Sequence, residues 1–283
     1  MSVKGRETKS AVGGAHRSIQ DLFGMDERTV LITGGGGAMG LEAARTILET
    51  GGDVICLDRQ DEPLVEPWKT VEETASRHAT KAWYFRCDIS DDEHVRATVA
   101  TAVSGARFPL RGLLCCAGIS GEAPSIEYPV QGVRRVMDVN VAGTFACAQA
   151  AAREIRKHGL PGSMVLIASM SAHGSNKGID TAAYNASKAA IVQLVRSLAA
   201  EWGSRVDIPL IRVNSISPGY IRTRMTVDSL AEPGMEERWT QDNMLMRLSE
   251  AHEYRGAILY LLSDASSFVT GADLRVDGGH TAW

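Results

Sequence analysis

Tyr184 and Lys188 stand four residues apart in the run "TAAYNASKAAIVQLVRSLAAEW". The run opens a long helical pattern, so the two side chains share one helix face. A phenol titrates near pH ~10, too high for a base near neutrality, and an ammonium one turn away favours the phenolate and lowers that value. Tyrosine and lysine at this spacing also occur by chance in many helices, so the pair takes its meaning from its company. Ser169 lies upstream in "MVLIASMSA", at the end of a strand-like run, and Asn140 lies in "VMDVNVAGTF". The serine has rivals: Ser169 is fifteen residues before Tyr184, Ser171 thirteen, and Ser175 also precedes it. Ser169 is preferred because it ends the strand, where side chains reach a cleft at the carboxyl edge of a sheet. His173 in the same loop reads first as a surface or packing residue and second as a substrate contact.

These groups need elements to hold them. Short apolar runs predict seven strands: Thr29 to Ile32, Asp53 to Leu57, Ala82 to Phe85, Gly112 to Cys116, Ser163 to Ala168, Ile211 to Ile216 and Leu274 to Val276. Helical spacing fills the gaps, as in Leu41 to Glu49 and Val133 to Ile155, and Ser90-Asp91-Asp92-Glu93 reads as a capping box. Strand and helix in alternation, with strands that are continuously apolar, predict an α/β fold: a Rossmann-like, doubly wound parallel sheet of seven strands with helices on both faces. A single domain over 26–283 is the simplest account, preceded by a polar, glycine-rich flexible leader over 1–25. No amphipathic run supports a transit peptide there.

The stretch "TVLITGGGGAMG" joins the first strand to the first helix. Glycine runs usually mean flexible linkers, but in a strand-turn-helix setting they suit a phosphate: the turn needs positive φ, and a bare backbone lets a pyrophosphate reach the helix amides. Gly35-x-Gly37-x-x-Gly40 fits one spacing and Thr33-Gly34-x-x-x-Ala38-x-Gly40 another. Asp58 ends the second strand, 18 residues after Gly40, where an acidic group accepts hydrogen bonds from an adenosine ribose. A carboxylate there repels a 2′-phosphate, which favours NAD. The neighbouring Arg59 keeps NADP open.

Composition narrows the classes. The 283 residues are 44% hydrophobic and 23% charged with a net charge of -4, an ordinary globular balance. No dense Lys/Arg block marks a nucleic-acid or polybasic membrane surface, and no apolar stretch approaches the ~20 residues of a membrane span. Cys56, Cys87, Cys115, Cys116 and Cys147 are odd in number and lack metal-ligand spacing, so neither disulfides nor a metal are expected. Their apolar surroundings suit buried thiols in a reducing compartment such as the cytoplasm.

From about Asp26 to Trp283 the chain resembles the short-chain dehydrogenase/reductase family. The resemblance rests on the glycine loop, Tyr184-x-x-x-Lys188, "CDI" at Cys87 to Ile89, "CCAG", "RVNSISPGYIRT" and "LRVDGGHTAW". It implies hydride transfer between a nicotinamide cofactor and a secondary alcohol or ketone. Tyr184 would be the acid/base, Lys188 would bond the nicotinamide ribose, Ser169 would hold the substrate oxygen, and Asn140 would place a proton-relaying water. It further implies cofactor contacts from Gly34, Gly36, Gly37 and Met39 in the loop, Asp58, Asp88 and Ile89 near the adenosine, and Cys116, Ala117 and Gly118 along the ribose. Pro218, Gly219, Ile221 and Thr223 would lie around the carboxamide and pyrophosphate. Two departures stand out: Ala38 replaces a loop glycine, tolerable at negative φ, and Cys115-Cys116 replaces an Asn pair, losing strong hydrogen bonds. Residues 222–250 match the family's substrate lid, in which Met225, Met235, Met244, Met246, Leu230 and Trp239 are expected mainly to pack. The "IASMS" loop and the "DGGHTAW" ending are similar to members that act on polyols and ketoses. A reductase of apolar secondary metabolites is the runner-up, and a non-catalytic NAD(H) sensor is the reading from another class. The resemblance also implies a dimer or tetramer, through the helices after Tyr184 and Val133.

Overall fold

Seven apolar runs pair side by side into one parallel sheet in the computed structural model, which describes residues 17–283. The strands are β1 Thr29–Thr33, β2 Asp53–Asp58, β3 Ala82–Arg86, β4 Leu110–Cys115, β5 Gly162–Ile167, β6 Ile211–Pro218 and β7 Asp273–Val276. Their spatial order is β3-β2-β1-β4-β5-β6-β7, so the doubly wound fold expected from the sequence is present. Most ends fall within one or two residues of the predicted ones, and pairing runs on in places, to Asp58 opposite Arg86 and Pro218 opposite Val276.

Alternation along each strand explains the layers. Leu31, Ile55, Leu113 and Met164 face one core with Val95, Val99, Ala148, Ile155, Ile191 and Leu198. Their neighbours Val30, Ile32, Val54, Leu114 and Val165 face the other, with Ala43, Ile47, Val71, Ile258 and Leu261. The helices are α1 Ile19–Phe23, α2 Ala38–Glu49, α3 Val65–Arg77, α4 Asp92–Ser104, α5 Val130–Met137, α6 Thr144–His158, α7 Ala182–Ser204, α8 Val227–Ala231, α9 Met235–Gln241 and α10 Arg255–Leu262. Helices α4, α6 and α7 cover the first face, and α2, α3 and α10 the second.

Several expectations are corrected. The leader boundary falls earlier than residue 25: Ser18 caps α1 in a reciprocal box with Asp21, Arg17 pairs with Asp264 at 3.1 Å, and Met25 is buried. Residues 1–16 of that leader lie outside the described residues. The capping pattern at the start of α4 is shifted by one position, since Asp91 accepts from the His94 amide at 2.9 Å while the Ser90 hydroxyl turns to Asp88 at 2.7 Å. The single helix expected over Val133 to Ile155 is instead α5 and α6 joined by a π turn, Asp138–Gly143. Such turns take one extra residue and concentrate at functional sites.

Candidate active site

The strand order reverses between β1 and β4, opening a crevice at their carboxyl ends. The glycine loop lies there because only glycine fits. Gly34 has φ +66°, and a Cβ on it would sit 2.7 Å from the Ala117 amide nitrogen. A Cβ on Gly40 would sit 2.3 Å from the Gly34 carbonyl oxygen, so this residue lets α2 fold back on the loop. Ala38 is the first residue of α2 and takes an ordinary helical backbone, which is why the substitution is tolerated. The helix opens at Gly37 with no side-chain cap, leaving first-turn amides and the positive end of its dipole for an anion. Asp58 stands beside the loop, its Oδ2 accepting from the Gly36 amide at 3.1 Å.

Two confluent cavities fill the crevice. The larger, about 760 Å³, is lined by Gly34, Asp58, Asp88, Ile89, Cys116, Ala117 and Gly118. The other, about 420 Å³, shares Gly34, Gly37, Cys116 and Gly118 and continues past Gly36 and Met39 to Ser169, Tyr184, Lys188, Pro218, Gly219, Ile221 and Thr223. Every cofactor position expected from the sequence is therefore on these walls. A dinucleotide fits: a glycine cradle at an uncapped helix start, a carboxylate at one end, and a hydroxyl, phenol and ammonium at the other. Ile119, Gln131 and Arg135 also line the larger cavity. No spacing in the sequence pointed to them.

At the far end, Ser169 follows β5 and Tyr184 and Lys188 lie in the first two turns of α7. The Ser169 hydroxyl draws the Tyr184 pKa down and Ser171 does not, which favours Ser169 as the partner of the phenol. Ser175 lines neither cavity. Burial pushes the Tyr184 phenol above its usual range, and the Ser169 hydroxyl only partly offsets this. The lowering by Lys188 expected from the four-residue spacing is absent in the protein alone: the phenol's shift comes from burial and from Ser169. Lys188 Nζ donates to the Ile167 carbonyl at 2.8 Å and lies 5.6 Å from the Tyr184 ring centre. Desolvation draws its pKa down from 10.5 to about 8.

Asn140 sits in the π turn and lines neither cavity. Its Nδ2 donates to the Ile119 carbonyl at 2.9 Å and to Ser187 Oγ at 3.0 Å, and its Oδ1 accepts from the Ile119 amide at 2.8 Å. Ser187 in turn donates to the Tyr184 carbonyl at 2.7 Å. Asn140 thus clamps the loop after β4 to the helix that carries Tyr184. His173 faces away from the cleft: its Nε2 bonds Asp273 Oδ2 at 2.8 Å and Ser217 Oγ at 3.2 Å.

The lid behaves differently from expectation. Met235 and Trp239 are buried against Met170, Tyr220 and Leu248, with Leu230 beside them, but Met225, Met244 and Met246 are exposed. Two short helices give this segment only one face against the body. Cys115 is buried, and burial raises its thiol pKa, offset in part by the nearby Thr33 hydroxyl. Cys116 is only partly buried, because it lines both cavities.

The family description "Enoyl-(Acyl carrier protein) reductase" matches residues 36–281 of this chain. The chain is a short-chain dehydrogenase/reductase. It is 53% identical over 278 residues to the short chain dehydrogenases/reductase notP' of Aspergillus versicolor, covering 98% of this chain and 95% of that one. It is 37% identical to the D-arabinitol 2-dehydrogenase (ribulose-forming) of Scheffersomyces stipitis, covering 95% and 99%. Among solved structures it superposes on the NADPH-dependent 3-quinuclidinone reductase of Rhodotorula rubra with a TM-score of 0.84 at 33% identity, covering 98% and 99%. This dehydrogenase/reductase is accordingly an NAD(P)-dependent oxidoreductase acting on a CH–OH or carbonyl group. Among the described residues no group of metal-ligating side chains is gathered, and no helix is long and apolar enough to cross a membrane.

Proposed function

We propose that the protein moves a hydride between NAD(H) and the carbinol or carbonyl carbon of a polyol or the matching ketose. The observation that carries this is the meeting of Ser169, Tyr184 and Lys188 where the dinucleotide trough opens beneath the lid. When bound, the oxidised nicotinamide supplies a hydride acceptor and a positive charge that favours the phenolate. Ser169 holds the substrate oxygen, and Tyr184 gives or takes its proton. The raised phenol pKa keeps Tyr184 protonated in the protein alone, the form that donates to a ketone oxygen. Lys188 contributes a cation at the ribose side. Both hydrogens of the Asn140 amide are taken by protein groups, so its side chain cannot donate to a water and acts by positioning.

Asp58 supports NAD as the cofactor, since its carboxylate stands on the trough wall where a 2′-phosphate would bring like charge. The homo-oligomer implied by the resemblance is part of the same reading, supported by the fully exposed Phe268 and by Trp283 at 79% exposure. A cytoplasmic, reducing setting suits the five free thiols. A second reading, reduction of an apolar ketone, is favoured by the Tyr220–Trp239 stack with Met170 and Ile179 at the pocket wall.

Nicotinamide absorbance with NAD and a panel of polyols and apolar secondary alcohols, repeated with NADP, tests the proposal. Polyol-dependent reduction of NAD is the expected result. Activity on apolar alcohols alone would transfer the assignment to the second reading. Tight NADH binding with no turnover of any alcohol or ketone would leave a cofactor sensor.

A further inference from the structure

The cavity beneath the lid is lined by three residues that each carry a polar side-chain atom the fold leaves unpaired. Asn176, Thr181 and Trp239 all line it, and each carries a buried side-chain atom with no hydrogen-bond partner: Asn176 Oδ1, Thr181 Oγ1 and Trp239 Nε1. The indole is rigidly held, 2% exposed and stacked on Tyr220 with 4.1 Å between ring centres and 6° between planes. The Asn176 amide is fixed at one end only, Nδ2 donating to the Tyr220 hydroxyl at 3.5 Å. Thr181 is the N-cap of α7, where threonine normally accepts from the helix's own amides, yet its hydroxyl makes no such bond.

A buried polar group without a partner is destabilising unless something else meets it. Here an indole donor, an amide acceptor and a hydroxyl of either sense belong to residues that line one cavity together with Ser169 and Tyr184. We propose that Asn176, Thr181 and Trp239 hydrogen-bond the hydroxyls neighbouring the reacting carbon and so select polyhydroxylated substrates over mono-alcohols of equal length. This rests on the oxidoreductase reading above and adds the residues that set its substrate class. Asn176 and Thr181 lie between Ser169 and Tyr184 in the chain, so one loop carries both reaction and recognition, while Trp239 reaches in from the lid. A site built to hydrogen-bond a hydroxyl rejects the analogue lacking it far more strongly than an apolar pocket rejects an added one.

The test compares wild type, Thr181→Val and Trp239→Phe, both near-isosteric, with NAD on a set of pentitols and on 2-pentanol. NADH fluorescence titration establishes that each variant is folded, and Asn176→Ala replaces either one that is not. Wild type should favour its best pentitol at least about 100-fold in kcat/KM. Each variant should lose roughly 10- to 100-fold on the pentitol and stay within about threefold on 2-pentanol. Equal losses on both substrates, or no change on either, would overturn the inference while leaving the polyol reading intact. Wild-type activity on 2-pentanol with none on any pentitol would remove both.

Discussion

Replacing Lys188 with methionine should stabilise the cofactor-free protein at neutral pH while abolishing turnover. Lys188 is 6% exposed, no carboxylate among the described residues pairs with it, and its pKa falls from 10.5 to about 8 through burial. A group whose pKa is depressed on folding binds fewer protons in the folded state than in the unfolded one across that interval. For an amine this penalises folding below pH 8, and the penalty fades as pH rises toward 10.5. At about 1.4 kcal/mol per unit, carrying the charge inside costs about 3 kcal/mol near pH 7. Methionine keeps the length and apolar stem but forfeits the bond to the Ile167 carbonyl, worth about 1–2 kcal/mol. The variant should therefore be more stable by roughly 1–2 kcal/mol at pH 7, and that advantage should vanish or reverse near pH 10.5, the lysine's ordinary value. Urea unfolding of both proteins at several pH values gives the difference, in which other titrating groups cancel. A difference that does not change with pH, or a variant weaker by several kcal/mol at pH 7, would refute the account of an uncompensated buried charge.

Other outcomes follow from the same geometry. Tyr184→Phe should lower kcat by about 10²- to 10⁴-fold with NADH affinity kept, measured by turnover and fluorescence titration side by side. Asp58→Ser should raise kcat/KM with NADP relative to NAD, because it removes the carboxylate from the trough wall; an unchanged ratio would place cofactor choice elsewhere. Gly34→Ala should destabilise the protein by about 1–3 kcal/mol and weaken NADH binding, since its φ of +66° and the 2.7 Å approach to Ala117 leave no room for a methyl group.

The sequence exposed those parts of the site that depend on local backbone and fixed spacing. Gly34, Gly40 and Asp58 were legible because a strand, a tight turn and a helix start hold them at set intervals, and Tyr184 with Lys188 because one helix turn relates them. The substrate end was harder. Trp239 and Tyr220 come from separate segments whose stacking depends on how the lid folds, and no spacing encodes that. Asn176 and Thr181 could have been found, since they lie between two residues already marked for chemistry. The direction of the Tyr184 shift was hidden for a different reason: a lysine four residues away is visible in sequence, but the desolvation that raises the phenol comes from the whole surrounding body. The Ser18–Asp21 box was readable, but a polar, glycine-rich start concealed it.

Asp273 in β7 accepts from Ser215 at 2.6 Å, from Ser217 at 2.8 Å, and bonds His173 at 2.8 Å across a separation of 100 residues. The loop that holds Ser169 is thus moored to the sheet's outermost strand. The edge of the sheet and the loop after β5 are therefore one hydrogen-bonded unit, and a change at Asp273 reaches that loop through Ser217 and His173.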